Sequence, residues 1–202
     1  LEREGITEGV YVAGNTIVDA VQRYAPLINE AELPVDPPSE YALLTLHRQE
    51  NVDNPQRLAS ALKGVGMVAE KLKLLALFPA HPRTKVRMAE HGIRIPDGVV
   101  LLEPLGYFQF LKLLKGAKVV LTDSGGVQEE ACILKVPCVT LRHSTERPET
   151  IYVGANVLAG ILPDLILIKT MEMLEKPRNW ANPLGDGKAS ERIVRIINEE
   201  IL

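Results

Sequence analysis

A polar turn between an apolar run and an amphipathic stretch is the first place where this sequence could do chemistry. The apolar run 119–121 leads through Ser124, Gly125 and Gly126 into a helix-like pattern that begins at Val127. Ser124 is suited to cap that helix, and the two glycines let a ligand approach the backbone closely. Free N–H groups at a helix start favour an anion such as a diphosphate. Gly-Gly turns are common, so an ordinary structural turn is an equally good interpretation.

Two adjacent glutamates follow this turn, and the pattern predicts that both lie in the first turn of the helix. There Glu129 and Glu130 would interact favourably with the helix dipole. One of them could instead accept hydrogen bonds from the two neighbouring hydroxyls of a ribose. The spacing alone does not separate the two residues.

Polar residues also close the predicted strand that begins at Tyr41. His47 and Arg48 come at its carboxyl end, where open α/β sheets bind their ligands. We therefore expect these two side chains to face a bound anion. Gln49 and Asn51, which follow, are predicted to be solvated loop residues.

The loop 141–149 has the densest group of polar side chains in the chain. It carries Arg142, Ser144, Thr145, Glu146 and Arg147. Two arginines, two hydroxyls and a carboxylate suit a phosphorylated ligand that is rich in hydroxyls. A surface network of salt bridges would use the same residue types, and spacing does not distinguish the two interpretations.

Ring-bearing residues follow two further predicted strands. His81 comes after the second strand, and a structural cap is the role expected for it. Phe108 and Phe110 come after the third strand, and Phe108 is predicted to belong to the core. An aromatic ring at such a strand end can also pack on a nucleobase.

Composition and charge argue against several classes of protein. The 202 residues carry a formal net charge of −3, whereas a general nucleic-acid binder needs a basic excess for phosphate contacts. No apolar run approaches the roughly 20 residues that span a bilayer. The histidines are scattered, and no metal-binding motif such as HExxH occurs. Cys132 and Cys138 are expected to be buried core thiols in a reducing cytoplasm.

Short apolar runs alternate with longer amphipathic stretches along most of the chain. Strands are predicted at 41–47, 73–80, 99–104, 118–123, 138–141 and 156–158. Helices are predicted at 55–71, 83–91, 108–115, 127–134, 163–175 and 187–202, with a helical turn at 148–153. Apolar strands separated by helices indicate a parallel sheet that is covered on both faces. The predicted fold class is therefore α/β, with a doubly wound parallel sheet.

The first 39 residues break this rhythm. Because proline stiffens a chain and cannot join a regular ladder, the proline-rich segment 26–39 is predicted to be a linker. A strand at 10–13 and a helix at 16–24 are predicted before it. One strand and one helix cannot bury a core, so residues 1–39 are interpreted as the end of a preceding domain. Residues 40–202 form the predicted main domain.

Five stretches make the chain resemble the C-terminal half of the non-hydrolysing UDP-N-acetylglucosamine 2-epimerases. They are GNTIVDA at 14–20, TLHRQEN at 45–51, LTDSGGVQEE at 121–130, TERPE at 145–149 and GDGKASERIV at 185–194. Each stretch is a weak signal alone, but together they follow the family's order along nearly the whole chain. The ordered set makes the resemblance specific.

The resemblance implies a GT-B arrangement, in which two Rossmann-like domains enclose the active site. This chain would hold the C-terminal domain and the end of the N-terminal domain, whose remainder is absent. The family interconverts UDP-N-acetylglucosamine and UDP-N-acetylmannosamine by eliminating UDP, which leaves a 2-acetamidoglucal, and adding it back on the other face of C2. The resemblance further implies an enzyme that needs no metal or redox cofactor and is often a homodimer. Charge, apolar runs and cysteine content separately predict a cytoplasmic protein that binds neither nucleic acid nor membrane.

Matching the family's motifs residue by residue implies roles for a small set of side chains. His47 would contact the nucleotide diphosphate, and Arg147 the diphosphate or the sugar. Ser124, Gly125 and Gly126 would hold phosphate oxygens, Glu130 would bind the ribose hydroxyls, and Phe110 would lie near the uracil. Breaking the bond between C1 and oxygen places negative charge on departing UDP, so His47 and Arg147 are the expected catalytic residues.

The sequence departs from the family's pattern in two respects. The family's acid–base carboxylates belong to the N-terminal domain, which is absent here. The stretch Arg48-Gln49-Glu50 stands where many members have Arg-Arg-Glu, which leaves open whether a regulatory second-nucleotide site exists. Three alternative functions also stay open: a GT-B glycosyltransferase, a hydrolysing epimerase, and a stand-alone nucleotide-sugar binding module without catalysis.

Overall fold

A six-stranded, all-parallel sheet forms the centre of the protein. The computed structural model describes residues 1–201, with only the backbone of Glu2, Glu200 and Ile201. The strands are β1 (Tyr41–Thr45), β2 (Leu75–Pro79), β3 (Val99–Leu102), β4 (Val119–Thr122), β5 (Cys138–Thr140) and β6 (Asn156–Leu158). Their order across the sheet is β3-β2-β1-β4-β5-β6. Successive strands are added toward one edge from β1 to β3 and toward the other edge from β4 to β6, so the strand order reverses between β1 and β4. Sheets of this kind bind ligands outside the strands' carboxyl ends at that reversal.

Helices cover both faces of the sheet. They are α1 (Thr16–Arg23), α2 (Ala25–Glu30), α3 (Gln49–Val52), α4 (Pro55–Leu72), α5 (Pro82–Glu90), α6 (Tyr107–Gly116), α7 (Gly125–Ile133), α8 (Pro148–Tyr152), α9 (Pro163–Glu175) and α10 (Ala189–Ile196). Helices α4 and α9 pack on the face to which Ala42 and Leu44 point. Helices α1, α2, α6 and α7 pack on the opposite face, against Tyr41 and Leu43. The strands are mostly apolar because both faces of the central strands are buried, whereas β3, at the edge of the sheet, is partly exposed.

The predicted α/β class, with a doubly wound parallel sheet, is confirmed. All six predicted strands form, although most are one to three residues shorter than predicted. β2 begins at Leu75 because Lys73, at φ 54°, takes the left-handed conformation that ends α4. The helix predicted at 187–202 forms as α10 and continues as a π-helix over Ile197–Ile201, while Leu202 lies outside the described residues.

Two predictions for the N-terminal segment are wrong. The strand predicted at 10–13 does not form among the described residues. The linker predicted at 26–39 begins too early, because residues 25–30 form α2, with Pro26 in its first turn and Ile28 buried. Proline is tolerated there, since the first N–H groups of a helix have no partner within it. The predicted helix at 16–24 is confirmed as α1, with Asn15 as its cap.

Helix α1 is held against the end of the chain. The carboxylate of Asp19 accepts hydrogen bonds from the N–H groups of Ala189, at 3.2 Å, and Ser190, at 2.7 Å. The N–H of Asn15 donates to the carbonyl of Leu184 at 2.9 Å. Asp19 therefore caps α10 from another helix, and α1 packs with the main sheet. A domain boundary at residue 40 stays a prediction.

Candidate functional site

The turn after β4 forms the centre of the candidate site. Ser124 caps α7, because its Oγ accepts a hydrogen bond from the N–H of Val127 at 3.4 Å. The N–H of Ser124 donates to Oγ1 of Thr122 at 2.9 Å. Gly125 and Gly126 open α7, where backbone N–H groups have no acceptor within the helix. The predicted cap is confirmed, and the turn has the free donors that an anion requires.

Asp123, directly before this turn, holds the loop that follows β1. Its carboxylate is fully buried and accepts hydrogen bonds from the N–H groups of His47 and Arg48, both at 3.0 Å. Nδ2 of Asn51 donates to the same carboxylate at 3.1 Å. A carboxylate removed from water needs such donors. These bonds join the carboxyl ends of β1 and β4 and bring His47 beside the turn of Ser124.

Asn51 is buried, so the prediction that it is a solvated loop residue is wrong. Its Nδ2 also donates to the carbonyl of Leu141 at 3.1 Å, and its Oδ1 accepts from Nη2 of Arg57 at 3.0 Å. Asp123 and Leu141 lie 72 and 90 residues away in sequence, so no local pattern reveals these bonds. Gln49 is exposed, as predicted, but it opens the short helix α3 and does not lie in a loop.

The two glutamates lie deeper in α7 than predicted. The helix starts at Gly125, directly after its cap, so Glu129 and Glu130 occupy its second turn and not its first. Both are 6% exposed, but they have different surroundings. Oε1 of Glu129 lies 2.6 Å from Nε of Arg147 and accepts a hydrogen bond from Nδ2 of Asn15 at 2.7 Å. Glu130 lines the cleft beside the turn.

Burial changes the acidity of Glu130. Desolvation raises the pKa of this carboxyl to about 7, and a hydrogen bond with the side chain of Tyr107 offsets part of the rise. Burial, together with the charge of Glu130, raises the pKa of Tyr107 to about 12. Hydroxyl groups of a ligand that donated to Glu130 would favour its ionised form.

Two arginines flank the start of α7. A Cβ atom at Gly125 would lie 3.7 Å from Nη2 of Arg48 and 3.9 Å from Nε of Arg147. Nε of Arg48 is buried and has no hydrogen-bond partner within residues 1–201. Nε of Arg147 is also buried without a hydrogen bond of good geometry, and it forms an ion pair with Oε1 of Glu129 at 2.6 Å. Oε2 of Glu146 also lies 3.9 Å from that Cβ position. Two guanidinium groups beside free helix N–H groups nevertheless give this position a net excess of groups that favour an anion.

The other arginine of the loop 141–149 has a structural role. Arg142 is 8% exposed and binds both carboxylate oxygens of Glu146, at 2.8 and 2.9 Å. Its Nε donates to Glu50 at 2.9 Å, which ties the loop to α3. The Arg142 guanidinium lowers the pKa of Glu146 to about 2. The salt-bridge interpretation is therefore correct for Arg142 and Glu146, whereas Arg147 reaches the turn.

Five of the seven predicted site residues line one cleft of about 330 Å³. These residues are His47, Phe110, Ser124, Gly126 and Glu130. The other two, Gly125 and Arg147, adjoin the cleft at the start of α7. Pro79, Pro104, Leu105 and Val127 add apolar surface. A cleft that combines an aromatic ring, apolar walls and convergent polar groups suits a small ligand with a planar part and an anionic part.

Two ring-bearing residues have the structural roles expected of them. His81 caps α5, since its Nδ1 accepts a hydrogen bond from the N–H of Arg83 at 3.2 Å. Its ring also lines the cleft. Phe108 is half-buried and packs on the core, with its ring centroid 5.5 Å from that of Tyr24. Cys132 and Cys138 are free and buried, as predicted.

Sequence reasoning assigned no role to Asp123, and it did not predict that Asn51 is buried. An acidic residue directly after a fully buried strand is the one local signal for Asp123, because a carboxylate there must find donors. Residues 1–201 contain no group of three or more His, Cys, Asp or Glu side chains placed to hold a metal ion. In the same part of the chain, no helix combines the length and apolar character needed to cross a bilayer.

Comparison with known proteins places the chain among nucleotide-sugar epimerases. The family pattern described as UDP-N-acetylglucosamine 2-epimerase matches residues 1–198. A UDP-N-acetylglucosamine 2-epimerase from Methanocaldococcus jannaschii is 49% identical over 98% of this chain and 57% of its own length. A protein of the same name from Methanococcus maripaludis is 42% identical over 96% of this chain and 56% of its own length. The chain thus spans little more than half the length of these relatives.

Solved structures agree with this similarity. The Methanocaldococcus jannaschii UDP-GlcNAc 2-epimerase in complex with UDP-GlcNAc and UDP has a TM-score of 0.90 at 46% identity, over 98% of this chain and 57% of that one. A calicheamicin glycosyltransferase has a TM-score of 0.56 at 16% identity, over 85% of this chain and 45% of that one. This second likeness concerns the fold alone, and it agrees with the predicted GT-B class.

Proposed function

Because the chain belongs to the UDP-N-acetylglucosamine 2-epimerase family, we propose that it is the UDP-binding half of an enzyme that interconverts UDP-N-acetylglucosamine and UDP-N-acetylmannosamine. The observation that carries the proposal is the cleft at the reversal between β1 and β4, where His47, Phe110, Ser124 and Glu130 meet. UDP combines a planar base, two adjacent ribose hydroxyls and two phosphates. The cleft offers a suitable group for each of these parts.

The diphosphate would bind at the start of α7. The free N–H groups of Gly125 and Gly126 would donate to it there. The guanidinium of Arg147 adds positive charge, and the imidazole of His47 adds a hydrogen-bonding group. Arg147 would exchange its contact with Glu129 for the more highly charged phosphates. The uracil would lie near Phe110 and the ribose hydroxyls would donate to Glu130, which is the one glutamate of the pair that lines the cleft.

The proposed reaction needs the leaving group to be stabilised. The C2 proton is removed and UDP departs with the electron pair of its bond to C1, so that a C1–C2 double bond forms in the 2-acetamidoglucal. UDP then adds back to C1 while a proton is delivered to the opposite face of C2. Donors and cations that are already in place around the diphosphate stabilise the developing charge without reorganisation. His47 and Arg147 are the side chains that we expect to do so. The proton transfers at the sugar would require the N-terminal domain.

Calorimetric titration of this chain with nucleotides tests the binding proposal. We expect UDP to bind more tightly than UMP, and UMP more tightly than uridine, because each phosphate adds contacts at the start of α7. ADP should bind more weakly than UDP if Phe110 contacts the base. Failure of UDP to bind the folded chain, or equal affinity for UDP and uridine, would contradict the proposal.

Product analysis with the whole protein separates the alternatives. UDP-N-acetylmannosamine is the expected product from UDP-N-acetylglucosamine. Free N-acetylmannosamine with UDP would indicate a hydrolysing epimerase, and a glycosylated acceptor would indicate a glycosyltransferase. No turnover by the whole protein would favour a binding module without catalysis.

The sugar specificity has a second candidate. A UDP-2,3-diacetamido-2,3-dideoxy-D-glucuronate 2-epimerase from Pseudomonas aeruginosa is 39% identical over 78% of this chain and 44% of its own length. The UDP-binding part of the substrate would be the same for both sugars. Assaying the whole protein with both nucleotide sugars, and comparing kcat/KM, distinguishes them. An N-terminal domain, a homodimer and a cytoplasmic location remain parts of the proposal, and light scattering of the whole protein tests the homodimer.

A further inference from the structure

We propose that Asp123 is a positioning residue that holds the imidazole of His47 in a single tautomer, with the proton on Nδ1. Nδ1 of His47 lies 3.6 Å from Oδ1 of Asp123. The same carboxylate oxygen accepts the backbone N–H of His47 at 3.0 Å. Backbone and ring of one residue are thus directed at one buried carboxylate.

The surroundings leave Asp123 little freedom to move. Its second oxygen accepts hydrogen bonds from the N–H of Arg48 at 3.0 Å and from Nδ2 of Asn51 at 3.1 Å. Asn51 is itself held by Leu141 and Arg57, at 3.1 and 3.0 Å. Side chains that are buried and bonded in this way keep their rotamers, so the position of the carboxylate beside the imidazole is set before any ligand arrives.

The tautomer follows from hydrogen-bonding chemistry. The 3.6 Å separation is slightly longer than a direct hydrogen bond, and the His47 side chain is 43% exposed, so Asp123 acts on the ring through its charge. A carboxylate can only accept, so it favours the proton on the ring nitrogen that faces it, which is Nδ1. In the neutral ring the other nitrogen, Nε2, then has the free electron pair. Any proton that His47 gives to or takes from a ligand must therefore pass through Nε2, while the Nδ1 proton stays with Asp123.

A second histidine of the cleft provides a contrast. Nδ1 of His81 accepts a hydrogen bond from the N–H of Arg83 at 3.2 Å, so in the neutral ring of His81 the proton lies on Nε2. The two imidazoles line the same cleft but should have opposite tautomers. His81 is therefore an internal reference for any measurement on His47.

The inference rests on the proposed function only for the identity of the ligand that meets Nε2 of His47. In the family reaction that we propose, this ligand is the diphosphate. An imidazole that is oriented beforehand loses less entropy when it binds the phosphate, which is the usual benefit of a positioning residue. The tautomer itself is a property of the free protein and is measured without a ligand.

Long-range ¹H–¹⁵N spectra of the histidine rings test the tautomer directly. We would record them on the unliganded 202-residue chain at about pH 8, where most imidazoles are neutral. Loss of signals in His47→Gln and His81→Gln assigns the two rings. We expect His47 to show a protonated Nδ1 and a bare Nε2, and His81 to show the reverse. A proton on Nε2 of His47, or averaged signals from both tautomers, would overturn the proposal.

Variants then test whether Asp123 is the cause. In Asp123→Asn we expect the His47 ring to lose its preference for the tautomer with the proton on Nδ1, while the His81 signals stay unchanged. A purely structural role of Asp123 would not produce this outcome. Asp53→Asn is the control, because Asp53 lies in the same region but binds Arg83 and Arg87 at the surface. An unchanged His47 spectrum in folded Asp123→Asn would refute the assignment. If that variant does not fold, the spectrum of the wild-type protein decides alone.

Titration with UDP separates this inference from the proposed function. We expect Asp123→Asn and His47→Gln each to weaken UDP binding about tenfold, and the double variant to lose little more, because both changes remove one shared interaction. Fully additive losses would contradict the coupling between the two residues. If UDP does not bind the wild-type chain, the proposed function is wrong. The tautomer of His47 is still tested separately by the spectra of the unliganded chain.

Discussion

At the scale of single residues, the start of α7 combines three features that favour an anion. Ser124 caps the helix, and Gly125 has no side chain to cover its N–H groups. The guanidinium groups of Arg48 and Arg147, together with Oε2 of Glu146, lie within about 4 Å of where a Cβ of Gly125 would stand. The nearest of these contacts is an ordinary van der Waals distance, so the glycine is required less by folding than by access. Its removal should therefore affect binding more than stability.

A change of Gly125 to valine tests this access. We expect Gly125→Val to weaken UDP binding at least about tenfold, because branched carbons would occupy the space in front of the helix N–H groups. Ser124→Ala should cost about 1 kcal/mol of stability through loss of the cap, and weaken UDP binding less. Calorimetric titration and urea unfolding measure the two effects. Gly106→Ala, at the start of α6, is the control. An unchanged UDP affinity in folded Gly125→Val would contradict binding of the diphosphate at the start of α7.

The two glutamates of α7 should differ in their effect on the ligand. Glu130 lines the cleft, whereas Glu129 is occupied by Arg147 and Asn15. We expect Glu130→Gln to weaken UDP binding about tenfold or more, since two hydroxyl donors would lose a charged acceptor. Glu129→Gln should have a smaller effect, which acts through Arg147. A larger loss of affinity at Glu129 in parallel titrations would refute the assignment of the ribose to Glu130.

The pKa of Glu130 predicts a dependence of stability on pH. Because burial raises this pKa to about 7, the folded protein binds the proton more tightly than the unfolded chain does. The free energy of unfolding therefore falls as the pH rises from the unfolded value toward about 7. Above that pH, we expect Glu130→Gln to be more stable than the wild type by on the order of 2 kcal/mol.

Urea unfolding between about pH 5 and pH 8 measures this effect. Glu146→Gln is a suitable control, because Arg142 holds the pKa of Glu146 at about 2, below the range. The dependence of the unfolding free energy on pH should be unchanged in the control and much weaker in Glu130→Gln, where burial of Glu129 raises its pKa and leaves a smaller contribution. A wild-type slope in Glu130→Gln would mean that another group is responsible. A variant that is more stable but binds UDP less well would show that the ligand site is built at a cost in stability.

At the scale of elements, α1 and α10 stabilise each other although they lie at opposite ends of the chain. The carboxylate of Asp19, in α1, accepts the N–H groups of Ala189 and Ser190, which open α10. Helix starts leave such donors without partners inside the helix, so a carboxylate from a neighbouring helix replaces the usual cap. These hydrogen bonds, with that to Ser190 the largest cause, lower the pKa of Asp19.

Hydrogen exchange can test this cross-helix cap. In Asp19→Asn we expect the amides of Ala189 and Ser190 to exchange faster, because the negative acceptor has been lost. The amides of β1 and β4 should keep their protection, since Asp19 does not contact them. Glu191→Gln, in the first turn of α10, is the matched control. Equal exchange in Asp19→Asn and the wild type would show that α10 begins without help from α1.

At the scale of the whole molecule, one half of a two-domain arrangement should bind without catalysing. The chain spans 57% of the length of a relative that it matches, and the cleft is open to solvent on the side away from the sheet. The ligand would therefore keep one face in water, where charges are screened and affinity is low. The proton transfers at C2 would lack their acid and base.

Exchange of the C2 proton of the substrate with solvent measures whether this chain catalyses by itself. We expect the 202-residue chain to fold and to bind UDP weakly, but not to incorporate deuterium at C2 of UDP-N-acetylglucosamine in D₂O. Loss of each positioned acid–base group typically costs ~10²–10⁴-fold, and the open cleft adds a loss of orientation. NMR spectroscopy follows the exchange, with the whole protein as the positive control. Deuterium incorporation at a rate near that of the whole protein would place the proton-transfer groups within this chain.

Local patterns in the sequence determined most of the secondary structure. The apolar runs that become β1 to β6 are recognisable because strands buried on both faces need apolar side chains at most positions. The Ser124 cap is equally local, since it depends on residues three apart. The predicted strand at 10–13 failed because a short apolar run has no structure without a partner strand, and none is present there among the described residues.

Only the tertiary structure decided which of these pieces meet. The order β3-β2-β1-β4-β5-β6 makes β1 and β4 neighbours, and it thereby brings His47 to Asp123 across 76 residues of sequence. The same packing buries Asn51. Glu129 and Glu130 point to different sides of α7 because successive helical residues are rotated by about 100°, and the packing around α7 decides that Glu130 is the one that lines the cleft. Capping and strand formation depend on neighbours in sequence, whereas the site depends on neighbours in space, which the sheet order selects.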